Sequence, residues 1–182
     1  PNPCPMGNYC PTGQGPIECP LLSYRDEFGG SNRTDCFPCT PGYWCNVTGM
    51  ADATVSPCPV GHYCPLASEP VVCPAGTMRP VVGAAGLANC WDCTAGHFCP
   101  NDTININGIP CDEGFECPAG TSIPEVCRAR RYCPPLTGEG LICPGGSYCE
   151  GGTGNNPPLC YYPTYCPPDS NATSICDLGY MS

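Results

Sequence analysis

Apolar residues lie singly along this chain, between cysteine, proline and glycine, and no window shows a sustained apolar period of 3.6 residues. Aromatic residues recur beside cysteine, in segments such as CPMGNYC, CPVGHYC and CPGGSYC. Proline follows many of these cysteines and disfavours helix. The pattern predicts small disulfide-rich repeats, mostly coil and turns with short two-stranded β ribbons, in an extended rod-like array with essentially no helix.

The recurring element is a hexad in which five residues separate an opening from a closing cysteine. Glycine stands three residues after the opening cysteine in six of eight copies, and an aromatic residue precedes the closing cysteine in seven. Cys-Pro-x-Gly suits a four-residue turn, and a ring beside a disulfide supplies packing area where aliphatic residues are scarce. The pairs are Cys4/Cys10, Cys39/Cys45, Cys58/Cys64, Cys93/Cys99, Cys111/Cys117, Cys127/Cys133, Cys143/Cys149 and Cys160/Cys166.

The cysteines repeat with two different periods along the chain. The six cysteines from Cys4 to Cys45 are matched by six from Cys58 to Cys99 at a constant offset of 54 residues. From Cys111 onward, opening cysteines recur every 16 or 17 residues. Regular recurrence indicates a repeat array. We predict a long cysteine-rich repeat over 1–57, a second over 58–110, and an array of short repeats over 111–182 whose last copy is incomplete.

The amino-acid composition limits the cellular compartments and the partners that are possible for this chain. The 182 residues include 21 cysteines but only 27 Leu, Ile, Val and Phe residues, too few for a large apolar core. A net charge of −10 excludes electrostatic binding of nucleic acid, and no apolar run is long enough for a membrane span. Because disulfides persist in oxidising compartments, we expect an extracellular protein, secreted or at the cell surface.

The disulfide pairing stays open between two local schemes. Joining the hexad cysteines, with Cys19–Cys36 and Cys73–Cys90, leaves Cys176 unpaired. Joining each closing cysteine to the next opening one, with both Cys-x-x-Cys pairs, leaves Cys4 unpaired, and nested pairings are also possible. An odd cysteine suggests intermolecular pairing, so Cys4 and Cys176 are the candidates for a disulfide to a neighbouring chain or to a continuation of this chain.

These motifs resemble the ephrin-receptor-like cysteine-rich repeat family, which is similar in style to the tumour-necrosis-factor-receptor modules. The best match runs from Cys58 to Cys93, with a second copy from Cys4 to Cys39. CRARRYC and CYYPTYC depart from the pattern because they lack the glycine. The resemblance implies an extracellular rod-like module, found in receptor ectodomains, matrix proteins and protist surface or ciliary proteins, and no catalytic activity.

Two further groups of residues are candidate sites. Sequons of the form Asn-x-Ser/Thr predict N-glycans in exposed loops. A cluster of charges in two consecutive short repeats predicts ion pairs between repeats, each of small energy if exposed. The sequon asparagines are Asn32, Asn46, Asn101 and Asn171, and the charged residues are Asp112, Glu113, Glu116, Arg128, Arg130 and Arg131.

The favoured function is a non-enzymatic extracellular structural glycoprotein. Such a disulfide-stapled rod would build a surface fibre, flagellar hair or matrix filament by end-to-end or lateral association with itself or with other fibre or matrix proteins. No cofactor or metal is expected beyond covalent N-glycans. The alternative is a ligand-binding cysteine-rich receptor or adhesion ectodomain, whose candidate contact loop is 21–35, with Leu22, Tyr24 and Phe28.

Overall fold

The computed structural model describes residues 2–101, 104 and 107–176, which form a succession of ten β hairpins. Each hairpin begins at an opening cysteine, and successive opening cysteines are 15 to 20 residues apart. We number the hairpins 1 to 10 by these cysteines, which are Cys4, Cys19, Cys39, Cys58, Cys73, Cys93, Cys111, Cys127, Cys143 and Cys160.

Eight hairpins contain a two-stranded sheet with two residues in each strand. The first strand begins four residues after the opening cysteine, and the second ends just before the next opening cysteine. Hairpins 3 and 9 have single bridges instead, Tyr43 with Pro57 and Ser147 with Leu159. The strands are β1 (Asn8–Tyr9), β2 (Ile17–Glu18), β3 (Ser23–Tyr24), β4 (Phe37–Pro38), β5 (His62–Tyr63), β6 (Val71–Val72), β7 (Thr77–Met78), β8 (Trp91–Asp92), β9 (His97–Phe98), β10 (Ile109–Pro110), β11 (Phe115–Glu116), β12 (Glu125–Val126), β13 (Arg131–Tyr132), β14 (Leu141–Ile142), β15 (Thr164–Tyr165) and β16 (Ser174–Ile175).

The third residue after each opening cysteine, here called the turn residue, has a left-handed backbone in nine of the ten hairpins, with φ between 64° and 88°. Glycine adopts this conformation at little cost, which explains its recurrence. Hairpin 2 places Leu22 there and hairpin 8 places Arg130, so the conformation is kept without glycine. Hairpin 10 has Pro163, after a cis peptide bond.

Backbone hydrogen bonds join consecutive hairpins in a fixed register. The N–H of each opening cysteine from Cys19 to Cys176 donates to the carbonyl of the preceding turn residue, at 2.8–3.0 Å. The N–H of each turn residue from Gly7 to Gly146 donates to the carbonyl of the sixth residue after the opening cysteine of the next hairpin, at 2.7–3.0 Å. These bonds give partners to backbone N–H and C=O groups, because the two-residue strands can pair only a few of them.

Cysteines take the place of an aliphatic core. Among the described residues, the largest fully buried side chains are those of Glu116 and fourteen cysteines. In hairpins 1, 4, 6 and 8 the aromatic residue before the closing cysteine is half-buried and pairs across its hairpin with an apolar residue, as Tyr9 does with Ile17 and Tyr132 with Leu141. Cross-strand pairs of this kind stabilise small sheets.

Helical structure among the described residues is limited to single 3₁₀ turns, at Arg33–Asp35, Ala53–Val55 and Leu87–Asn89. The predicted small disulfide-rich repeats, with turns, two-stranded ribbons and essentially no helix, are therefore confirmed. The rod-like arrangement stays a prediction.

Each long repeat comprises three hairpins of the same kind as the short repeats. The offset of 54 residues is thus the length of three hairpins, from Cys4 to Cys58. By contacts, the described residues divide into two compact units, one covering 2–74, 78–91 and 104, the other 75–77, 92–101 and 107–176. Each hydrogen bond of the two series described above joins residues of one unit.

Candidate functional site

Ten disulfides join consecutive cysteines and select the first of the two pairing schemes. Eight close the hexads, and Cys19–Cys36 and Cys73–Cys90 close longer loops. The prediction of an intermolecular bond at Cys4 is wrong, because Cys4 is bonded to Cys10. Cys176 is the free cysteine of the described residues and is half-buried.

An arginine occupies the place of the closing cysteine in hairpins 2 and 5. The Arg25 side chain is buried and donates to the carbonyls of Asp35, at 2.6 Å, and Phe28, at 3.3 Å. Its guanidinium lies 5.9 Å from the ring centre of Phe37. The opening Cys19 is bonded to Cys36, so no disulfide closes the hexad of hairpin 2. The Arg25 guanidinium fixes this part of the hairpin instead, through two carbonyls and the face of the Phe37 ring.

Arg79 repeats this arrangement in hairpin 5. It donates to the carbonyls of Asn89 and Val82, both at 3.4 Å, and its guanidinium lies 5.1 Å from the Trp91 ring centre. Sequence reasoning missed both arginines. The signal was present, because CPLLSYR and CPAGTMR match the hexad with arginine in place of the closing cysteine.

An ion pair joins the buried Glu116 of hairpin 7 to Arg128 of hairpin 8, whose side chain is 65% exposed. Glu116 occupies the place usually held by an aromatic residue and is 1% exposed. Arg128 Nε lies 2.6 Å from Glu116 Oε1, and the guanidinium also donates to Oε2 at 3.2 Å. The Gly140 N–H donates to Glu116 Oε2 at 2.9 Å. Both carboxylate oxygens are therefore satisfied by groups of the next hairpin.

The pKa of Glu116 lies below its ordinary value. Burial raises this pKa, but the hydrogen bonds from Arg128 and from the Gly140 N–H outweigh the burial. The charged form of Glu116 is therefore favoured over the protonated form more strongly in the folded state than in the unfolded state. Its contribution to stability is complete above the ordinary value of 4.5 and is lost as the pH falls through the lower folded pKa.

Replacing Glu116 with glutamine is expected to lower the free energy of unfolding at neutral pH by about 1–3 kcal/mol, because charge-assisted bonds in a buried place are lost. The deficit should shrink as the pH falls below 4.5. Denaturant unfolding of the disulfide-bonded chain at several pH values measures it. The control is Glu125→Gln, which changes the exposed cross-strand partner of Glu116. An equal deficit for both variants, or one independent of pH, would contradict the assignment.

The other members of the predicted charge cluster do not form a ladder. Arg130 lies 3.9 Å from Asp169 of hairpin 10, and Arg131 donates to the Gly140 carbonyl at 2.6 Å. Glu113 accepts from the Asn155 N–H at 3.3 Å. The exposed Asp112 forms no ion pair with the three arginines of the cluster. The structure therefore brings Glu116 and Arg128 together and engages the others elsewhere.

The side chains of loop 21–35 serve largely to build hairpin 2. Leu22 is its left-handed turn residue, and the Tyr24 ring packs against Phe37, with centres 5.9 Å apart. Phe28 is 59% exposed. Of the three predicted contact residues, Phe28 is thus the one that presents a large apolar surface.

All four sequon asparagines are exposed, although Thr103 of the Asn101 sequon lies outside the described residues. Asn32 caps a 3₁₀ turn, and its Oδ1 accepts from the N–H and hydroxyl of Thr34. Asp35 closes this turn, and hydrogen bonds from the N–H groups of Ser31 and Asn32 hold its pKa below the ordinary value. In the Asn46 sequon, the Thr48 hydroxyl donates to Glu18.

Metal ligation and membrane spanning were the remaining possibilities for the described ranges. No group of three or more His, Cys, Asp or Glu side chains there could hold a metal ion. Among the same residues, no helix has the length and apolar character needed to cross a membrane. The fold and its bonds define a cysteine-rich, disulfide-linked repeat protein, with pairing typical of an extracellular or other oxidising compartment.

Comparison with known proteins finds partial similarity to plant transporters. No protein-family model matches the chain. It is 32% identical over 120 residues to ABC transporter G family member 25 of Oryza sativa subsp. japonica, a match covering 57% of this chain. It is 29% identical over 133 residues to ABC transporter G family member 28 of Arabidopsis thaliana, covering 63% of this chain. Each match spans 11% of the relative's length.

Proposed function

We propose that this chain is a segment of a non-enzymatic extracellular structural glycoprotein that builds a surface fibre, flagellar hair or matrix filament by end-to-end or lateral association. The observation that carries the proposal is the uniform junction, in which the same backbone bonds recur between consecutive hairpins. A repeat whose interface repeats in fixed register can extend by addition of like units. The resemblance to ephrin-receptor-like repeats supports the same assignment.

The carboxylates with shifted pKa values support a structural role. Catalytic sites often hold such groups in clefts, ready to act on a substrate. Here Glu116 is taken up by Arg128 and Gly140, and Asp35 and Asp52 cap 3₁₀ turns. These groups hold the fold together, and we propose no catalytic activity for the chain.

Electron microscopy of negatively stained native material tests this function. Fibres of regular width that bind an antibody raised against this segment are expected. Discrete particles carrying the antibody would contradict the structural assignment. The control for nonspecific adhesion of the antibody is a sample that has been reduced and denatured. The antibody should label no fibres in that sample.

Glycosylation of the exposed sequons is expected in the native protein. Treatment with an N-glycosidase should lower the mass of the chain, and glycopeptide mapping should place glycans on Asn46 and at least one of Asn32, Asn101 and Asn171. Asn46→Gln should remove one glycan. For Asn32, the variant Asn32→Asp keeps an oxygen to cap the 3₁₀ turn while removing the acceptor amide. No mass change on enzyme treatment would refute the prediction.

Cys176 is the proposed site of a disulfide to another chain, since the other cysteines of the described residues are paired. A dimer or larger species should be present without reductant and absent with it, and Cys176→Ser should abolish it. A monomer band without reductant would contradict this bond.

The similarity to ABC transporters favours a second candidate. The relatives are much longer than this chain, which matches about a tenth of their length. The segment would then be a cysteine-rich receptor-like or adhesion ectodomain of a larger membrane protein. Immunoblotting of native membrane and extracellular fractions distinguishes the two, because this candidate requires the antigen in a detergent-extracted membrane protein and the first requires it in assembled fibres.

A further inference from the structure

Exposed tyrosines are concentrated in a single hexad. Of the nine tyrosines in the described residues, six are half-buried, namely Tyr9, Tyr24, Tyr43, Tyr63, Tyr132 and Tyr148. The remaining three lie between Cys160 and Cys166, where Tyr161 is 74%, Tyr162 83% and Tyr165 52% exposed. Hairpin 10 therefore presents phenol groups to solvent in a way that the other hairpins do not.

The exposure of Tyr161 and Tyr162 follows from their place in the repeat. They occupy the first and second positions after the opening cysteine, at the tip of the turn. The same positions in other hairpins are mostly exposed, as at Pro5 and Met6 of hairpin 1 or Thr94 and Ala95 of hairpin 6. Tyr165 differs, because its position is half-buried in most hairpins. The exposure of Tyr161 and Tyr162 therefore results from their positions in the turn.

The hexad also fixes the backbone that carries these rings. The disulfide Cys160–Cys166 closes it. The Cys160 N–H donates to the Gly146 carbonyl at 2.9 Å, and the Gly146 N–H donates to the Cys166 carbonyl at 2.8 Å. Two adjacent phenols are therefore displayed on a backbone fixed from both sides.

Few other side chains of this chain can form covalent bonds between molecules. The sequence has no lysine, so isopeptide and lysine-aldehyde cross-links between two copies of it cannot form. Of the 21 cysteines, twenty are in disulfides, which leaves Cys176. A cross-link that resists reduction has to use another reactive group, and exposed phenols provide one.

We propose that Tyr161 and Tyr162 form an oxidative cross-linking site that joins this chain to a second copy through a tyrosine–tyrosine bond. The proposal rests on the assembly of like chains proposed above and names the residues that would make it permanent. The oxidant is a peroxide, used by a haem peroxidase outside this chain. One phenol comes from each chain, and either adjacent tyrosine can supply it.

The reaction balances with hydrogen peroxide as the oxidant. Each phenol loses one electron and its hydroxyl proton to give a phenoxyl radical. Two radicals join through ring carbons next to the oxygens, forming one carbon–carbon bond. The ring hydrogens at those carbons move to the oxygens and restore both phenols. The two electrons and two protons removed reduce one hydrogen peroxide to two waters.

The test compares two triple variants of the whole chain under peroxide and a haem peroxidase. Both carry Tyr180→Phe, because Tyr180 lies outside the described residues. The site variant is Tyr161→Phe with Tyr162→Phe, and the matched control is Tyr9→Phe with Tyr63→Phe, which changes half-buried rings. Phenylalanine keeps the ring packing, and equal protease resistance and thiol counts check that both variants fold. Dityrosine fluorescence and dimers that survive reduction are measured.

The control should form dimers that resist reduction, with linked peptides containing Tyr161 or Tyr162, and the site variant should lose them. Equal dimer formation by both variants, linked peptides from other tyrosines, or no dityrosine in the control would each overturn the inference. Native fibres whose hydrolysate lacks dityrosine would overturn it while leaving the proposed function intact. Site-specific cross-linking by a chain that never forms fibres would instead count against the function alone.

Discussion

Replacing Gly96 with alanine is expected to destabilise the folded chain by several kcal/mol. Gly96 is the turn residue of hairpin 6, with φ +83°, and a non-glycine residue there costs about 1–3 kcal/mol. The added Cβ would also lie 2.3 Å from the carbonyl oxygen of Leu136. Gly96 is hydrogen-bonded to Cys111 and Cys117, and the Leu136 N–H donates to Cys111, so neither backbone can shift freely. Relieving this clash should therefore cost a further amount of about 1–3 kcal/mol. Denaturant unfolding with the disulfides intact measures the loss.

Gly120→Ala is the matched control for this prediction. Gly120 has nearly the same backbone, with φ +81°, but a Cβ there would meet nothing within 4 Å. It should therefore show the conformational cost without the clash. If both variants lose the same free energy, close packing at the turn residue contributes nothing and the junction is looser than its geometry indicates.

Removing the Cys73–Cys90 disulfide is expected to cost more than removing the Cys58–Cys64 disulfide. The two bonds span 17 and 6 residues, and the chain-entropy treatment gives about 3 and about 2 kcal/mol respectively. Both are replaced by paired serines, Cys73→Ser with Cys90→Ser and Cys58→Ser with Cys64→Ser. Unfolding free energies in denaturant test the order.

The damage from either removal should stay local, because each hairpin bonds mainly to its neighbours. Hydrogen exchange resolved by peptide is expected to rise around hairpins 4 to 6 and to stay unchanged in hairpins 8 to 10. A uniform rise along the chain would show that the hairpins unfold as one cooperative unit.

Much of the fold could be predicted from spacing alone, because a hairpin closed by a local disulfide leaves a regular mark in sequence. The hexads gave the turns and the ribbons. The pairing needed the structure, since two schemes used nearly every cysteine equally well. Hairpins 2 and 5 were not recognised from the sequence, because Arg25 and Arg79 stand at the position of the closing cysteine. The hairpin repeat was therefore divided into long and short repeats.

The candidate sites were less accessible to sequence reasoning, because they depend on which side chains face a neighbouring hairpin. Glu116 was grouped correctly with Arg128, but Asp112 and Glu113 could not be separated from it by spacing. Their positions in the hexad explain why only Glu116 is buried. Glu116 occupies the inward position of the aromatic residue, whereas Asp112 and Glu113 lie at the exposed turn. The outward Tyr161 and Tyr162 follow the same rule.

All ten disulfides join a cysteine to the next one in the chain. During synthesis into an oxidising compartment, each cysteine thus meets its partner before later cysteines emerge, and none has to wait for a distant one. Mispaired intermediates are few under such an order of events. Gain or loss of a whole hairpin would leave every remaining pair unchanged, so the length of such a protein can vary during evolution without a new solution to the pairing problem.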